Sequence, residues 1–416
     1  MKFKKQKYKV NHMNIFVINS GSSSIKYQLF KMPVEKPVCS GLIERIGLEN
    51  ALIKHKTCIG NEEKTIERTL DLADHEAGLH EVLKLLTDEE LGVIKNPDEI
   101  YAVGHRVVHG GETFAATTFV TSEVKDEIKK LFALAPLHNP ANYMGIDVAE
   151  KIFTEARQIA VFDTAFHQTM AEKAFRYAIP KSYYTDLRIR AYGFHGTSHK
   201  YVSEKATDYL GKPDAKIITI HLGNGCSMAA IKNGISVDTS MGFGPLGGLV
   251  MGTRSGDIDP SIIFHLINQL GYDPEQINSL LNKRSGMLGM TGFSDMRDVE
   301  KAISKGDADA ELACELYAYR IQKYIGLFAA VLNGIDAIVF TAGVGENDVN
   351  IRRRICQNLS FFGIELDEHK NNLRSSEIRE INANDGKVKI LIIPTNEELE
   401  IARQCFNLLG GSLSLK

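Results

Sequence analysis

Short apolar runs at residues 15–18, 102–108, 159–162, 217–221, 337–341 and 388–393 read as buried strands, each too short for a core helix and each bounded by glycine, proline or polar residues. Between them the apolar positions shift to helical spacing. Leu79, Val82, Leu83 and Leu86 mark one helix face, and Val124, Ile128, Leu131 and Phe132 another, both read as core packing. Leu312, Leu316, Ile321, Ile325, Phe328 and Leu332 predict a helix over residues 308–332 that Asn333-Gly334 terminates before the next strand. A last helix from about Asn396 is expected to pack back on the first half of the chain. Strands alternating with helices point to an α/β architecture, with ligands held at the carboxyl ends of strands.

Glycine-rich turns follow several of these strands. Asn19-Ser20-Gly21-Ser22-Ser23-Ser24 and His221-Leu222-Gly223-Asn224-Gly225-Cys226-Ser227 each leave a strand and run into a second apolar segment, at 25–30 and 228–231. Both predict hairpins whose backbone N–H groups can line a phosphate. Either loop alone is equally well an ordinary tight turn; the pair points to a nucleotide. A third strand ends in Ala342-Gly343-Val344-Gly345-Glu346-Asn347, with a helical pattern beginning near Asn347, which would set N–H groups and a helix N-terminus beside an anion.

At 416 residues the chain is long for one core and suggests two or three domains. A boundary near 163–170 gives an N-terminal domain over 13–163, joined by the returning helix 396–416, and a C-terminal domain over 164–395; residues 1–12 are expected to form a disordered arm. The Lys-rich start is not followed by a signal-peptide core, and no window approaches the apolar length of a membrane helix. A net charge of −3 argues against a general nucleic-acid binder. Six cysteines without CxxC spacing fit neither a zinc site nor a disulfide framework and read as reduced cytosolic thiols. There is no GxxxxGK[ST] loop, and the GxGxxG at Gly242 contains Pro245 without a βαβ context. His195-Gly196-Thr197-Ser198-His199 has the histidine spacing of a zinc-protease helix but lacks the glutamate.

Two arginines stand apart. Arg106, in Gly104-His105-Arg106-Val107-Val108-His109-Gly110-Gly111, sits near a strand end that opens into glycines, and Arg254, in Met251-Gly252-Thr253-Arg254-Ser255-Gly256-Asp257, lies in a glycine loop. Together they suggest an anion clamp. Asp163 ends a buried strand, where it is equally a helix N-cap or a group that handles a proton or a metal.

These segments, with Val17-Ile18-Asn19-Ser20-Gly21-Ser22-Ser23-Ser24-Ile25-Lys26-Tyr27, Asp163-Thr164-Ala165-Phe166-His167, Tyr192-Gly193-Phe194-His195 and Pro394-Thr395-Asn396-Glu397-Glu398, resemble acetate kinases in the same order from about Met13 to the last helix. The resemblance implies two duplicated ribonuclease-H-like domains of the actin-like ATPase class with an interdomain nucleotide cleft, and reversible direct in-line phosphoryl transfer from ATP to acetate, giving ADP and acetyl phosphate. It implies Mg2+, for which Mn2+ substitutes, held through Asn19 and Glu397. Asp163, His195 and Arg254 would be catalytic. Arg106 would bind substrate, Val108, Leu137, Phe194 and Pro245 would enclose the acetate methyl, and His138 would join them. Lys26, Ser22, Ser24, residues His221, Leu222, Gly223, Asn224 and Gly225, the Asp295-Met296-Arg297 run and the run Gly343, Val344, Gly345, Glu346 and Asn347 would hold the nucleotide. A cytoplasmic homodimer, with no nucleic-acid or membrane partner, is implied as well. Propionate or butyrate kinase of the same family is the nearest alternative, and a partner-regulated actin-like or chaperone-like ATPase the more distant one. A carboxylate oxygen is already nucleophilic, so Asp163 is expected to position other groups rather than act as a base.

Overall fold

The computed structural model of the chain describes residues 12–59 and 62–410. Residues 1–11, nearly all of the expected arm, and 411–416, the end of the expected last segment, lie outside the described residues. The chain divides into two compact units, one running to Ala165 and resuming at Asn396, the other Phe166–Thr395.

The first unit is built on an eight-stranded sheet. Strands β1 (Met13–Ser20), β2 (Ser24–Met32), β3 (Pro37–Glu44), β4 (Ala51–Ile59) and β5 (Glu62–Leu70) form an antiparallel meander. On the other side of β1 lie β6 (Ala102–Val107), parallel to it, then β8 (Arg157–Phe162), parallel to β6, with the short β7 (Thr118–Phe119) at the edge. Residues 15–18 of β1 are all buried because helices cover both faces. Phe16 meets Phe153 beyond helix Asn139–Ile152, whereas on the opposite face helix Glu397–Leu408 lies so close that a Cβ at Gly104 would meet Cys405 Sγ at 2.7 Å. Gly41 is required in the same way. The Tyr27 ring lies across it, 2.2 Å from where a Cβ would stand, and carries its hydroxyl to His55 Nδ1 at 2.7 Å.

The second unit repeats the plan with six strands. Strands β9 (Lys216–Leu222), β10 (Cys226–Lys232) and β11 (Ile235–Thr239) are antiparallel, while β12 (Ala337–Thr341) and β14 (Lys389–Ile392) run parallel to β9, with β13 (Arg379–Glu380) at the edge. Three antiparallel strands followed by two parallel ones is thus the order in both sheets, the first carrying β4, β5 and β7 in addition and the second β13. The α/β class expected from the sequence is what the structure has. The helix Ala308–Leu332 starts on the Asp307 cap and ends where Asn333 and Gly334 turn to positive φ, 53° and 114°.

One local expectation needs correction. The chain does not cross an open glycine turn before a helix near Asn347; helix Ala342–Asn347 begins directly after β12, and a second helix, Val349–Cys356, follows. Ala342 enters it at a φ of 64°, and the Glu346 carboxylate accepts its backbone N–H at 2.9 Å, closing the turn that the glycines alone would leave open.

Burial holds His55, His105 and His109 down to a pKa of about 4, so all three are neutral in the folded first unit. Unfolded histidine takes up its proton near 6.5, so between that pH and about 4 the unfolded chain binds more protons and stability falls as pH falls. The urea midpoint, followed by circular dichroism, is expected to drop between pH 7 and pH 5; an unchanged midpoint would contradict the neutral assignment.

Candidate active site

In the first unit the parallel register sets Arg106 on β6 beside the end of β8, and Asp163, the next residue, donates its N–H to Val107 O at 3.0 Å. The two side chains lock as a fork: Arg106 Nε donates to both Asp163 oxygens at 3.2 and 3.1 Å, and Nη2 to Oδ2 at 2.6 Å. Its remaining edge, Nη1, lies 3.8 Å from Glu397 Oε2. Burial opposes the Arg106 charge, but Asp163 and Glu397 outweigh it and hold the guanidinium firmly protonated. Burial, with Asp163 and Glu398 adding to it, raises the Glu397 carboxyl against the pull of Arg106 and Lys26. Lys26 reaches Glu398 at 2.7 Å. Buried Asn142 accepts the Val108 N–H and buried Asn139 the His109 N–H, at 3.0 Å each, and Asn142 also donates to Ser20 O, tying the loop after β6 to the turn after β1.

The second unit holds a cavity of about 990 Å³. Gly223, Asn224, Asp295, Met296, Arg297, Gly343, Val344 and Asn347 line it. Asp295 caps helix Met296–Ser304, accepting the Arg297 N–H at 2.9 Å and gripping its guanidinium, contacts that lower the Asp295 carboxyl to about 2. Next to this wall, a Cβ at Gly225 would stand 3.5 Å from His195 Nε2 and 3.7 Å from Arg254 Nη1, so one glycine separates the two side chains from the backbone. Arg254 donates to Pro245 O at 3.0 Å and has no carboxylate partner among the described residues; burial lowers its pKa. His195 caps helix Gly196–Leu210 from a left-handed φ of 56°, a costly conformation for a residue with a Cβ and one that clusters at functional sites.

Behind His195 runs a buried chain of hydroxyls and imidazoles. Ser227 Oγ lies 2.8 Å from both His195 Nδ1 and His199 Nε2, and His199 Nδ1 lies 2.7 Å from Thr219 Oγ1. His221 stacks on His195 at 4.3 Å and meets Ser198 Oγ at 2.8 Å. Burial, with His167 and His221 adding to it, keeps His199 neutral.

The expected residues therefore fall in two groups. Asn19, Ser22, Ser24, Lys26, Arg106, Val108, Leu137, His138, Asp163 and Glu397 belong to the first unit, and the others to the second. Of the expected nucleotide residues in the second unit, His221, Leu222, Gly225, Gly345 and Glu346 do not line the cavity. Glu346 in particular turns its carboxylate to the N–H groups of Ala342 and Thr395. Ser22 is exposed at the tip of its turn. Sequence reasoning missed Asn139, Asn142, Ser198, Thr219, Ser227 and Glu398, as well as the cavity residues Gly252, Tyr317 and Arg374. The i, i+3 spacing of Asn139 and Asn142 is a readable signal for one helix face; Tyr317 and Arg374 arrive from distant segments and carry none.

Comparison with known proteins identifies the family. Residues 14–403 match the model of the acetokinase family. The chain is 58% identical over 397 residues to the acetate kinase of Flavobacterium johnsoniae, covering 95% of this chain and 100% of that protein. To the acetate kinase of Thermotoga maritima it is 55% identical over 397 residues, covering 94% and 97%. The crystal structure of Porphyromonas gingivalis acetate kinase superposes with a TM-score of 0.88 at 42% identity over 95% of this chain and 100% of that one. A propionate kinase from Francisella tularensis gives 0.88 at 42% identity over 94% and 98%. With its duplicated sheets, its glycine turns and both arginine segments in family order, the chain belongs to the acetokinase family.

Proposed function

We propose that the protein is a Mg2+-dependent acetate kinase that transfers the γ-phosphoryl group of ATP directly to acetate, reversibly. The observation that carries this reading is the pairing of Arg254, without a counter-ion among the described residues, with His195 across Gly225, beside the glycine-lined cavity. Phosphoryl transfer asks for alignment and charge neutralisation more than for covalent chemistry. Arg254 supplies a fixed positive charge for the group in flight, and the backbone at Asn224 and at Gly343, in the first turn of helix Ala342–Asn347, suits the phosphates behind it. Arg106 is assigned to the acceptor carboxylate. Since Asp163 is engaged by Arg106 along a whole edge of the guanidinium, it positions that arginine rather than removing a proton. Val108, Leu137, Phe194 and Pro245 are assigned to the methyl group on the family resemblance, and His138, which caps helix Asn139–Ile152, to their support. Among the described residues no three acidic, histidine or cysteine side chains form a metal cage. Asn19 and Glu397, one amide and one carboxylate oxygen, fit a hard cation that keeps water and phosphate as its other ligands, which is how magnesium binds. The metal, when bound, offsets phosphate charge.

The hydroxyl chain sets the state of His195. Thr219 is fully buried, and among the described residues its hydroxyl meets no side-chain partner other than His199 Nδ1, so it satisfies its proton by donating there. Neutral His199 then carries its proton on Nε2 and donates to Ser227, which donates to His195 Nδ1. His195 is left with its proton on Nε2, the nitrogen beside Gly225, which is the tautomer that a hydrogen bond from Nε2 to a phosphoryl oxygen requires.

A homodimer is supported by helix Ser261–Leu270, an apolar sequence that buries none of its residues, with Phe264 63% and Leu270 58% exposed. Free cysteines throughout fit a reducing cytoplasm.

The first test is hydroxamate-trapped acyl phosphate formed from Mg-ATP with formate, acetate, propionate or butyrate. Acetate is expected to give the highest kcat/KM, and since one methylene is worth about 1 to 3 kcal/mol, propionate should follow at a measurable rate. No acyl phosphate from any acid would sink the proposal. Arg254→Ala, by analogy with arginine fingers, should lower turnover roughly 10³ to 10⁵ fold with the fold intact; a loss under tenfold removes its assigned role. Ser227→Ala should lower kcat about 10- to 100-fold, as loss of a partner that orients a histidine does elsewhere. The accompanying readout is the imidazole ¹⁵N spectrum, in which His195 should change from a single Nε2–H form to a mixture; an unchanged spectrum refutes the tautomer assignment. Phe264→Glu should give monomers by light scattering, and persistence of the dimer would place the interface elsewhere.

A further inference from the structure

Beside the nucleotide cavity the second unit has another pocket, of about 480 Å³, sharing Asn347, Val349 and Arg374 with it. Three guanidiniums line this smaller pocket, those of Arg352, Arg374 and Arg379, with the Ser375 and Ser376 side chains at its rim and Glu346 as its single acidic residue. Glu346 Oε1 accepts the Ala342 and Thr395 N–H groups, and its charge acts on Arg379 without an ion-pair contact. None of the three arginines makes an ion pair among the described residues. Arg352, 1% exposed, donates to neutral acceptors only: Asn371 Oδ1 at 2.8 Å, Asn371 O at 3.0 Å and Gly345 O at 3.0 Å. Arg379 donates to Leu373 O and, at 3.0 Å, to Glu346 O, while its Nε–H is buried without an acceptor. Burial, then the neighbouring Arg379, lowers Arg352 to about 10; nearby Asp348, which caps helix Val349–Cys356, offsets only part of this. A buried cationic donor with nothing to receive its proton is an expensive arrangement, and a bound anion relieves it.

We propose that this pocket is a second anion site, for a phosphate group, coupled to nucleotide binding. Arg379 Nε and Arg374 present donors to a tetrahedral oxyanion, with Ser376 at the rim and Arg352 as a fixed charge behind. The coupling follows from what the same arginines already hold. Arg352 and Arg379 grip the carbonyls of Gly345 and Glu346, in the helix whose Gly343, Val344 and Asn347 line the nucleotide cavity. An anion here draws the guanidiniums from those carbonyls and sets negative charge beside the nucleotide phosphates, and both effects weaken nucleotide binding. The direction of coupling rests on the nucleotide reading of the larger cavity; the anion site itself does not.

The test is calorimetric titration of the full chain with inorganic phosphate and, separately, with glycerol phosphate, each with and without saturating Mg-ADP, on the wild type and Ser376→Asp. Ser376 is exposed and lies outside the nucleotide cavity, so a carboxylate there repels the anion without touching the catalytic groups. Wild type should bind phosphate in the presence of Mg-ADP, and Ser376→Asp should bind it at least tenfold more weakly. Phosphate should raise the ADP Kd on the order of fivefold in wild type and leave that of Ser376→Asp unchanged. Arg379→Gln, with its fold checked by Tm, should reproduce the loss. Binding of glycerol phosphate as well as phosphate would assign the site to phosphate esters, and of phosphate alone to the free ion. Identical phosphate isotherms for wild type and both variants overturn the proposal, and since no step requires turnover, that result is distinguishable from failure of the kinase reading.

Discussion

Parallel pairing of the central strands is the constraint on which both units depend. Because β6 and β8 run with β1, and β12 and β14 with β9, the carboxyl ends of the strands in each sheet emerge along one edge. Chain leaving that edge has no sheet partner for its N–H groups and must satisfy them otherwise. In the first unit Asn142, Asn139 and Thr164 take the N–H groups of Val108, His109 and Gly110, in that order. In the second, Glu346 takes those of Ala342 and Thr395. The loops that carry the chemistry are therefore fixed by buried side chains rather than left to move.

On this frame two arginines are kept in opposite electrostatic conditions. Arg106 is compensated by Asp163 along one edge and approached by Glu397 on another, so its position is set by charge as well as by packing. Breaking such a pair from one side leaves a buried charge alone and costs about 3 to 5 kcal/mol, so Asp163 is a requirement for the shape of this corner. Arg254 is held by the neutral acceptors Pro245 O and Met251 Sδ and meets no carboxylate among the described residues. The pair Arg352 and Arg379 repeats that second condition in another part of the same unit, with backbone and amide oxygens in place of carboxylates. Neutral acceptors position a guanidinium without cancelling its charge, and this is what separates an arginine available to an anion from one that is structural.

The histidines are governed by desolvation. His199 is buried among other imidazoles and stays neutral, which lets it pass a hydrogen-bond direction from Thr219 to Ser227 and so to His195 without acquiring charge. A protonated His199 would donate at both nitrogens and collide with the Thr219 proton. The same preference for neutral imidazole in His55, His105 and His109 makes the first unit sensitive to acid.

The sequence by itself determined the local chemistry: the six short strands, the helix over 308–332 with its Asn333-Gly334 stop, the two glycine hairpins, and the family pattern carried by the segments around Asn19, Arg106, Asp163, His195, Arg254 and Glu397. These are legible because strand burial, helix caps and tight turns depend on neighbours a few positions away. Strands β3 to β5 were not, since partial exposure leaves them little apolar signal; β5 is exposed at most of its positions. Only the tertiary structure decided that Asp163 is occupied by Arg106, that Lys26 faces Glu398, that Glu346 serves the backbone, and that the helix after β12 begins at Ala342. It also brought Thr219, His199 and Ser227 into one chain, and Arg352 and Arg379, from separate segments, to one pocket. Each of those pairings joins residues whose separation along the chain bears no relation to their distance in space, and burial then decides which charges are answered and which are left for a ligand.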